Sequence, residues 1–382
     1  MVYLDFAAAT PVDAGVLAAA QPYWNEQFYN PSALYQPARD VKAALQAARS
    51  EIAGWIGCQA EEVYFTAGGT EANNLAIKGV MEQYPDKRCV ISALEHESVR
   101  APAAHYDLAT IPVGQDGLID PESLTQLVDD QTVLVSIIYA SNEIGTIQPL
   151  REIGRVLERL RKQRRAAGND LPLYFHTDAC QAANYLDLHQ NNLGVDLLTI
   201  NGGKLYGFKQ SGCLYVRRGL ALQPLIDGGG QEFALRSGTE NVAFAVGLAA
   251  ALTQAQQLRH DEQHRLEQLQ KHFINQLQQT FPDCIMNGTQ RKRLVNNVHV
   301  TFPGQHNEVL LLQLEQQGVL AAAGSACSAN DQAKPSYVLE AIGLDTAAIQ
   351  ASIRFSLGRT TTEQDISHCL DVLRSILLSK KQ

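Results

Sequence analysis

The sequence lacks the features that mark membrane, secreted and nucleotide-binding proteins. Its apolar runs fall far short of the roughly 18 residues that a membrane-spanning helix needs, and Met1-Val2-Tyr3-Leu4-Asp5 is not a basic leader followed by an apolar run. It contains no G-x-G-x-x-G or Walker pattern. The seven cysteines are scattered and form no C-x-x-C pair, which argues against a disulfide framework and a cysteine-based zinc site. We therefore expect a cytoplasmic protein without a bound metal or a membrane contact.

The charge balance is acidic and the chain is long enough for a large core. Its 382 residues are 45% hydrophobic and 19% charged, with a net charge of −9 at pH 7. A negative overall field disfavours direct binding to nucleic acid or to an anionic membrane surface. The length is typical of about two packed domains.

Alternating strand and helix patterns fill the first two thirds of the chain. Apolar runs predict buried strands at 63–66, 89–92, 132–139, 171–176 and 195–200, and one-sided apolar periodicity predicts helices at 36–57, 69–84 and 150–168. This alternation is typical of an α/β domain with a mainly parallel, covered sheet.

The last third has a different pattern. A long helical stretch at 243–281 precedes strand-like 297–302, helix-like 307–316 and strand-like 352–356, which indicates a smaller α+β domain. We expect a large domain over 12–255 and a small one over 256–382 joined by the N-terminal segment 1–11. No Pro-, Gly- or Ser-rich linker separates them.

Two loops that follow strands carry a candidate anion site and a buried acid. Gly68-Gly69-Thr70-Glu71 leads from a strand into a helix, where free N–H groups hold anions, although many such turns have no ligand. Asp178 ends another apolar strand, where a buried carboxylate needs a cationic partner. The alternative for Asp178 is a helix N-cap.

Two further loops carry candidate nucleophiles. Lys204 follows a strand and two glycines, and a lysine in a partly desolvated pocket is suited to forming a Schiff base, whereas most lysines are solvated surface residues. Cys327 lies among small residues between Gly324 and Asn330, which favours an exposed thiol on a mobile arm. An inert buried cysteine is the alternative.

An anion site, an acid, a Schiff-base lysine and a thiol together suit a pyridoxal phosphate enzyme that acts on sulfur. The sequence resembles the cysteine desulfurases of the class V aminotransferase group over nearly its whole length. The resemblance rests on five motifs: Thr70-Glu71-Ala72-Asn73-Asn74, Glu95-His96, Ser141-Asn142-Glu143-Ile144-Gly145, Arg236-Ser237-Gly238-Thr239, and Gly324-Ser325-Ala326-Cys327 followed by Pro335-Ser336-Tyr337-Val338-Leu339. It implies the fold of type I pyridoxal phosphate-dependent transferases, with a mainly parallel seven-stranded sheet in the large domain.

The resemblance also implies a role for each matching residue. Lys204 would form the Schiff base with pyridoxal 5'-phosphate, Asp178 would face the ring nitrogen, and Gln181 would donate to the ring hydroxyl. His96 would stack on the ring and relay protons. Gly69, Thr70, Asn201 and Gly203 would bind the phosphate, together with Thr239 from a neighbouring subunit. Asn30, Asn142 and Arg354 would bind substrate, with Asn142 also touching the coenzyme, and Cys327 would accept the sulfur.

Two segments depart from the family pattern. Asn201-Gly202-Gly203-Lys204 stands where the family usually has Ser-Gly-His-Lys, so a hydroxyl donor becomes an amide and an imidazole is absent. Weaker phosphate binding is the expected result. A histidine usual after the Asn30-Pro31-Ser32 turn is also missing, with Tyr35 or Gln36 near its place.

The implied function is a homodimeric cysteine desulfurase that converts L-cysteine to L-alanine. It would pass the sulfur as a Cys327 persulfide to an acceptor protein, for iron-sulfur cluster assembly or tRNA thiolation. A selenocysteine lyase or another class V aminotransferase is the alternative within the same coenzyme chemistry. A non-catalytic binding subunit is the alternative outside it.

Overall fold

The computed structural model describes residues 1–324 and 335–378. The predicted sulfur acceptor Cys327 lies outside these described residues. The described chain contains strands β1 to β12 and helices α1 to α13, named in chain order.

The central element is a seven-stranded sheet in the order β2-β8-β7-β6-β5-β3-β4. Only β8 runs antiparallel to its neighbours, and the other strands are parallel. The strands are short and mostly buried because helices cover both faces. Their bounds are β2 Val63–Thr66, β3 Arg88–Ser92, β4 Asp107–Ile111, β5 Thr132–Ser136, β6 Tyr174–Asp178, β7 Leu197–Asn201 and β8 Gly212–Val216.

The helices that surround this sheet place their apolar faces on it. Helix α3 buries Val41, Leu45 and Ile52, and a left-handed Gly57 ends it. The bounds in this part are α1 Ala14–Ala20, α2 Pro22–Asn25, α3 Gln36–Ile56, α4 Gly69–Met81, α5 Glu97–Ala103, α6 Leu124–Leu127, α7 Leu150–Ala166 and α8 Gln190–Leu193.

The remaining elements form a smaller layer. Strands β12, β10 and β9 make an antiparallel sheet, and β1 near the N-terminus pairs with β11 in parallel. The bounds are β1 Val2–Tyr3, α9 Val242–Thr280, β9 Ile285–Met286, β10 Asn297–Thr301, α10 Asn307–Gln316, β11 Val319–Leu320, α11 Tyr337–Ala341, α12 Thr346–Gln350, β12 Ser352–Ser356 and α13 Glu363–Leu378.

Helix α9 connects the two layers. Near its start it packs against α3 through Val242 and Ala245, and near its end the Phe273 ring meets Phe355 of β12 at 5.3 Å between centroids. One continuous apolar cluster includes residues of both layers. The predicted domain boundary at residue 255 falls inside this helix and stays a prediction.

The predicted α/β class with a mainly parallel sheet is confirmed. The strand predicted at 132–139 ends earlier, at Ser136, because the next residues turn toward the pocket described below and the N–H of Ile138 bonds to the Glu95 side chain. The antiparallel strand β8 was not predicted. Among residues 1–324 and 335–378, no helix combines the length and apolarity needed to cross a membrane.

Candidate active site

A pocket opens where parallel strands of the central sheet end, the usual ligand position in such folds. The ends of β6 and β7, the start of α4 and the N-terminal segment all contribute to it. Its lining comprises Ala7, Ala8, Gly69, Thr70, Asn73, His96, Ser98, Ile138, Asn142, Asp178, Cys180, Gln181, Asn201, Lys204 and Arg354. Nine residues predicted from the sequence therefore meet in one cavity.

Lys204 reaches this pocket from a single helical turn, Gly202–Lys204, directly after β7. Its Nζ donates to the carbonyl of Ala7 at 2.9 Å and to that of Ala8. Thr10 fixes the turn, since its hydroxyl donates to the Gly203 carbonyl and accepts from the Tyr206 N–H. The N-terminal segment thus holds the amine in place.

Asp178, at the end of β6, is 5% exposed. Its Oδ2 accepts from Asn73 Nδ2 at 2.7 Å, and its Oδ1 accepts from the Cys180 N–H at 2.9 Å. The expected cationic partner is absent among the described residues, where Asp178 has no ion pair. A protonated ring nitrogen in the pocket would supply that missing charge.

His96 and Gln181 lie on the walls. The Nδ1 of His96 accepts from the Ser98 N–H at 3.1 Å, so a neutral imidazole carries its proton on Nε2. Gln181 Nε2 donates to the Ala7 carbonyl at 2.9 Å, the same carbonyl that Lys204 contacts.

The N-terminus of α4 has the shape of an anion cradle. Gly68 has φ of +117°, and a Cβ added at Gly69 would come within 2.8 Å of Cys180 Sγ, so only glycine allows this close approach. A groove joins the site here and is lined by Gly69, Thr70, Asn201, Gly203 and Lys204 among others. The Oδ1 of Asn201 accepts from Gly203 N–H at 3.1 Å, which leaves the Asn201 amide group as a donor.

Arg354 lies in the pocket wall from β12 and is 1% exposed. One Nη donates to Asp5 at 2.7 Å and the other to the Asn142 carbonyl at 2.9 Å. Among residues 1–324 and 335–378, its Nε has no hydrogen-bond partner. The guanidinium is therefore anchored through both Nη atoms, and its Nε–H is a donor suited to a further acceptor.

Cys180 places a thiol in the pocket. Burial raises its pKa well above the usual value, and the Asp178 carboxylate adds to the increase. The thiol is therefore neutral and a poor nucleophile. Packing beside Gly69 is its structural role.

Two of the predicted residues that the structure describes, Asn30 and Thr239, line neither the pocket nor the adjoining groove. Asn30 is exposed, and its Oδ1 accepts from the Ser32 N–H at 2.9 Å. Thr239 is exposed on the loop before α9. Their roles stay predictions, as do those of the residues that meet in the pocket.

Asn73, Ser98 and the carbonyls of Ala7 and Ala8 also belong to the site, although no sequence motif assigns them a role. Asn73 was detectable, because it follows Gly69 by one helical turn and faces the same side of α4. The carbonyls were not, because their approach depends on long-range folding of the N-terminal segment.

Together these groups fit pyridoxal 5'-phosphate. An amine, a buried carboxylate without a cation and an anion cradle are the three features that its aldehyde, ring nitrogen and phosphate require.

Comparison with known proteins agrees with this site. Residues 2–369 match the family model described as aminotransferase class-V. The chain is 39% identical to the cysteine desulfurase IscS of Dictyoglomus turgidum, over 98% of this chain and 94% of that protein.

Solved structures give the same result. A NifS-like protein superposes with a TM-score of 0.90 at 29% identity and covers 99% of both chains. A structure described as SspA in complex with cysteine has a TM-score of 0.78 at 32% identity, covering 94% of this chain and 99% of that one. The chain thus belongs to the class V aminotransferase family and, within it, to the pyridoxal 5'-phosphate-dependent cysteine desulfurases.

Proposed function

We propose that this protein removes sulfur from L-cysteine and releases L-alanine. The C–S bond of cysteine breaks, its β-carbon takes up a proton, and the sulfur is left as a persulfide on Cys327. The persulfide sulfur then passes to an acceptor protein.

The observation that carries the proposal is the position of Lys204 and Asp178 in one pocket with Arg354, together with the chain path that leads to Cys327. Ala322 pairs with Arg354 through two backbone hydrogen bonds of 3.1 and 2.6 Å. Cys327 is five residues further on, and five extended residues span at most about 17 Å. Chain length therefore allows the thiol to reach the pocket.

Each residue has a physical task. When bound, the coenzyme supplies a ring that accepts the electron pair left by bond breaking at the substrate. Asp178, oriented by Asn73, would stabilise positive charge at the ring nitrogen. Lys204 would hold the coenzyme and move the substrate Cα proton on its Nζ. His96 would contact the ring and carry its proton on Nε2, and Gly69, Thr70, Asn201 and Gly203 would bind the phosphate.

Arg354 and Asn142 provide the substrate end of the pocket. The free Nε–H of Arg354 is suited to a carboxylate, and the Asp5 contact fixes its orientation. The related structure described as a complex with cysteine supports L-cysteine as the ligand class.

A homodimer is part of the proposal. Thr239 is exposed and outside its own pocket lining, which suits a phosphate contact in a neighbouring subunit. Four large apolar side chains are exposed in one stretch, namely Trp24, Phe28, Leu34 and Tyr35. Such a patch is typical of a covered interface, and a second copy of this chain is the proposed occupant.

An acceptor protein for iron-sulfur cluster assembly and a cytoplasmic location complete the proposal. The name of the Dictyoglomus turgidum relative supports the first. Free thiols at the six described cysteines suit a reducing compartment.

The test is a product assay. The coenzyme-loaded protein is incubated with L-cysteine and a thiol reductant, and sulfide and alanine are measured. The proposal expects equal amounts of both. Cys327→Ala is expected to lose sulfide release while retaining the coenzyme absorption band.

The matched control is Cys180→Ala, because its thiol is buried and neutral. That variant is expected to keep most of the activity. Unchanged sulfide release by Cys327→Ala would contradict the persulfide role, and alanine release without sulfide would contradict desulfuration.

A further inference from the structure

A row of buried polar side chains crosses the central sheet beside the pocket. Ser136 of β5 lies opposite His176 of β6, with Ser136 Oγ 2.8 Å from His176 Nδ1. His176 Nε2 is 3.1 Å from Thr199 Oγ1 on β7. All three residues are fully buried. His176 precedes Asp178 by two positions on the same strand, so both side chains project from the same face of the sheet.

Glu95 extends this row at the β3 side. It is fully buried, and its Oε1 accepts from the Ile138 N–H at 2.5 Å. The hydroxyls of Ser92 and Ser136 lie close to the carboxyl group, but within the described part of the chain its Oε2 has no hydrogen-bond partner. No ion pair of Glu95 occurs among residues 1–324 and 335–378.

The charged and titratable groups around Glu95 offer it no cation. Asp178 on β6 is negative and raises the cost of a second charge, and Cys89 on β3 carries a neutral thiol. Tyr337 of α11 donates its hydroxyl to the backbone carbonyl of Glu95, not to the carboxylate. Arg100 lies over the Tyr337 ring and pairs with Glu97. A buried carboxylate without a cation is strongly unfavourable.

We propose that Glu95 is a positioning residue that acts as a neutral acid. Its carboxyl group keeps its proton beside the hydroxyls of Ser92 and Ser136, so that Glu95 and the hydrogen-bonded row of Ser136, His176 and Thr199 add no second negative charge beside Asp178. The role of this row toward the coenzyme rests on the proposed function.

The protonation states agree with this arrangement. Burial raises the pKa of Glu95 to about 8, and burial lowers the pKa of His176 to about 4. Both groups are therefore uncharged at neutral pH.

The row has one direction when Glu95 is neutral. In the proposed neutral state the Ser136 hydroxyl donates to His176 Nδ1 and His176 Nε2–H donates to Thr199, while the Glu95 acid proton faces the nearby Ser136 hydroxyl oxygen. Ionised Glu95 would take the Ser136 proton as its donor, and the His176 proton would have to move from Nε2 to Nδ1. The charge of Glu95 thus sets both the His176 tautomer and the field at Asp178.

The test compares Glu95→Gln with the wild type as coenzyme-loaded proteins between pH 5 and 9. Glutamine has the shape of the neutral acid, so we expect wild-type coenzyme retention and absorption at pH 6. The denaturation midpoint of the wild type should fall relative to that of Glu95→Gln as the pH rises to about 8, where the folded protein loses the Glu95 proton. Above that pH the difference should stay constant.

The sign follows from the raised pKa of Glu95. Because the folded state holds the proton up to a higher pH than the unfolded state does, this contribution to stability is complete at low pH and is lost as the pH rises. Glutamine has no proton to lose. The control is Glu97→Gln, which changes an exposed carboxyl two positions further on. The denaturation midpoint of this variant should depend on pH in the same way as that of the wild type.

Three results would overturn the inference. They are failure of Glu95→Gln to fold, loss of coenzyme by that variant at pH 6, and identical pH dependence of the midpoint in Glu95→Gln and the wild type. Failure of the proposed function looks different, since the protein would then release no sulfide or bind no coenzyme. The midpoint comparison decides the inference in either case.

Discussion

Two regions of the site differ in how much of their surroundings one chain supplies: the pocket floor, formed by Asp178, Asn201 and Lys204, and the outer loop, residues 228–241. On the floor, Asp178 and Lys204 are fixed by hydrogen bonds from their own chain, such as the 2.7 Å bond from Asn73. The outer loop carries Thr239 at the surface, away from the pocket lining of its own chain. Chemistry that one chain completes is therefore organised by strand ends, whereas the role proposed for the outer loop is to contact the coenzyme of a neighbouring subunit.

The outer loop has a strained backbone that two ion pairs stabilise. Glu232, Phe233 and Ala234 have φ of 45°, 56° and 63°, and such conformations cost about 1–3 kcal/mol each. Arg49 binds the Glu232 carboxylate through two hydrogen bonds of 2.7 and 2.6 Å, and both side chains are buried. Arg236 of the same loop pairs with Glu71 in the first turn of α4. The loop is thereby tied to the helix that forms the anion cradle.

The largest expected effect comes from removing the amine of Lys204 from the pocket floor. Lys204→Ala should lower sulfide and alanine production by at least about 1,000-fold, because proton transfer and covalent attachment of the coenzyme are lost together. The product assay measures this. Lys162→Ala, which removes an exposed amine on α7 outside the pocket and the groove, is the control and should retain activity. A Lys204→Ala variant with more than a tenth of wild-type activity would contradict the assignment.

Breaking the ion pair under the outer loop should mainly affect stability. Arg49→Met leaves the Glu232 carboxylate buried without its cation, which is expected to cost about 3–5 kcal/mol of unfolding free energy. Denaturant unfolding measures the loss. Lys42→Met, an exposed change on the same helix, should stay within about 0.5 kcal/mol of the wild type. Equal stability of the two variants would show that the pair does not hold the loop.

The proposed contact between subunits is tested at Thr239. If Thr239 donates to the coenzyme phosphate of a neighbouring subunit, as proposed, Thr239→Ala removes one hydrogen bond to a charged group and should weaken coenzyme retention about tenfold. Mixed dimers of Lys204→Ala and Thr239→Ala chains should regain tight binding at one site in two, because one site then combines intact Lys204 with intact Thr239. Spectroscopic titration of coenzyme release measures this. Absence of any gain on mixing would place Thr239 outside the neighbouring site.

The site is most predictable from the sequence where its reactive residues follow the ends of strands. Asp178, Lys204 and the Gly69 turn each follow an apolar strand, and parallel strands bring their ends to one edge, so their meeting was predictable. The Lys204 contacts with Ala7 and Ala8 were not, because nearly two hundred residues separate the partners. Glu95 and His176 were also missed as a pair, since an ordinary buried strand and a row of hydrogen-bonded side chains have the same sequence pattern.

The smallest expected effect concerns the departure at Asn201. The sequence motif alone predicts tighter phosphate binding by the family's hydroxyl, but the structure bonds Asn201 to the Gly203 N–H and so reverses this expectation. Asn201→Ser should weaken coenzyme retention roughly fivefold, because the shorter side chain loses this bond, worth about 1 kcal/mol. The same titration of coenzyme release measures it, with the exposed Asn191→Ser as the control. Tighter binding by Asn201→Ser would mean that the hydroxyl contacts the phosphate better than the amide does. In that case the Asn201–Gly203 bond would contribute less to coenzyme binding than the hydroxyl that the family usually has at this position.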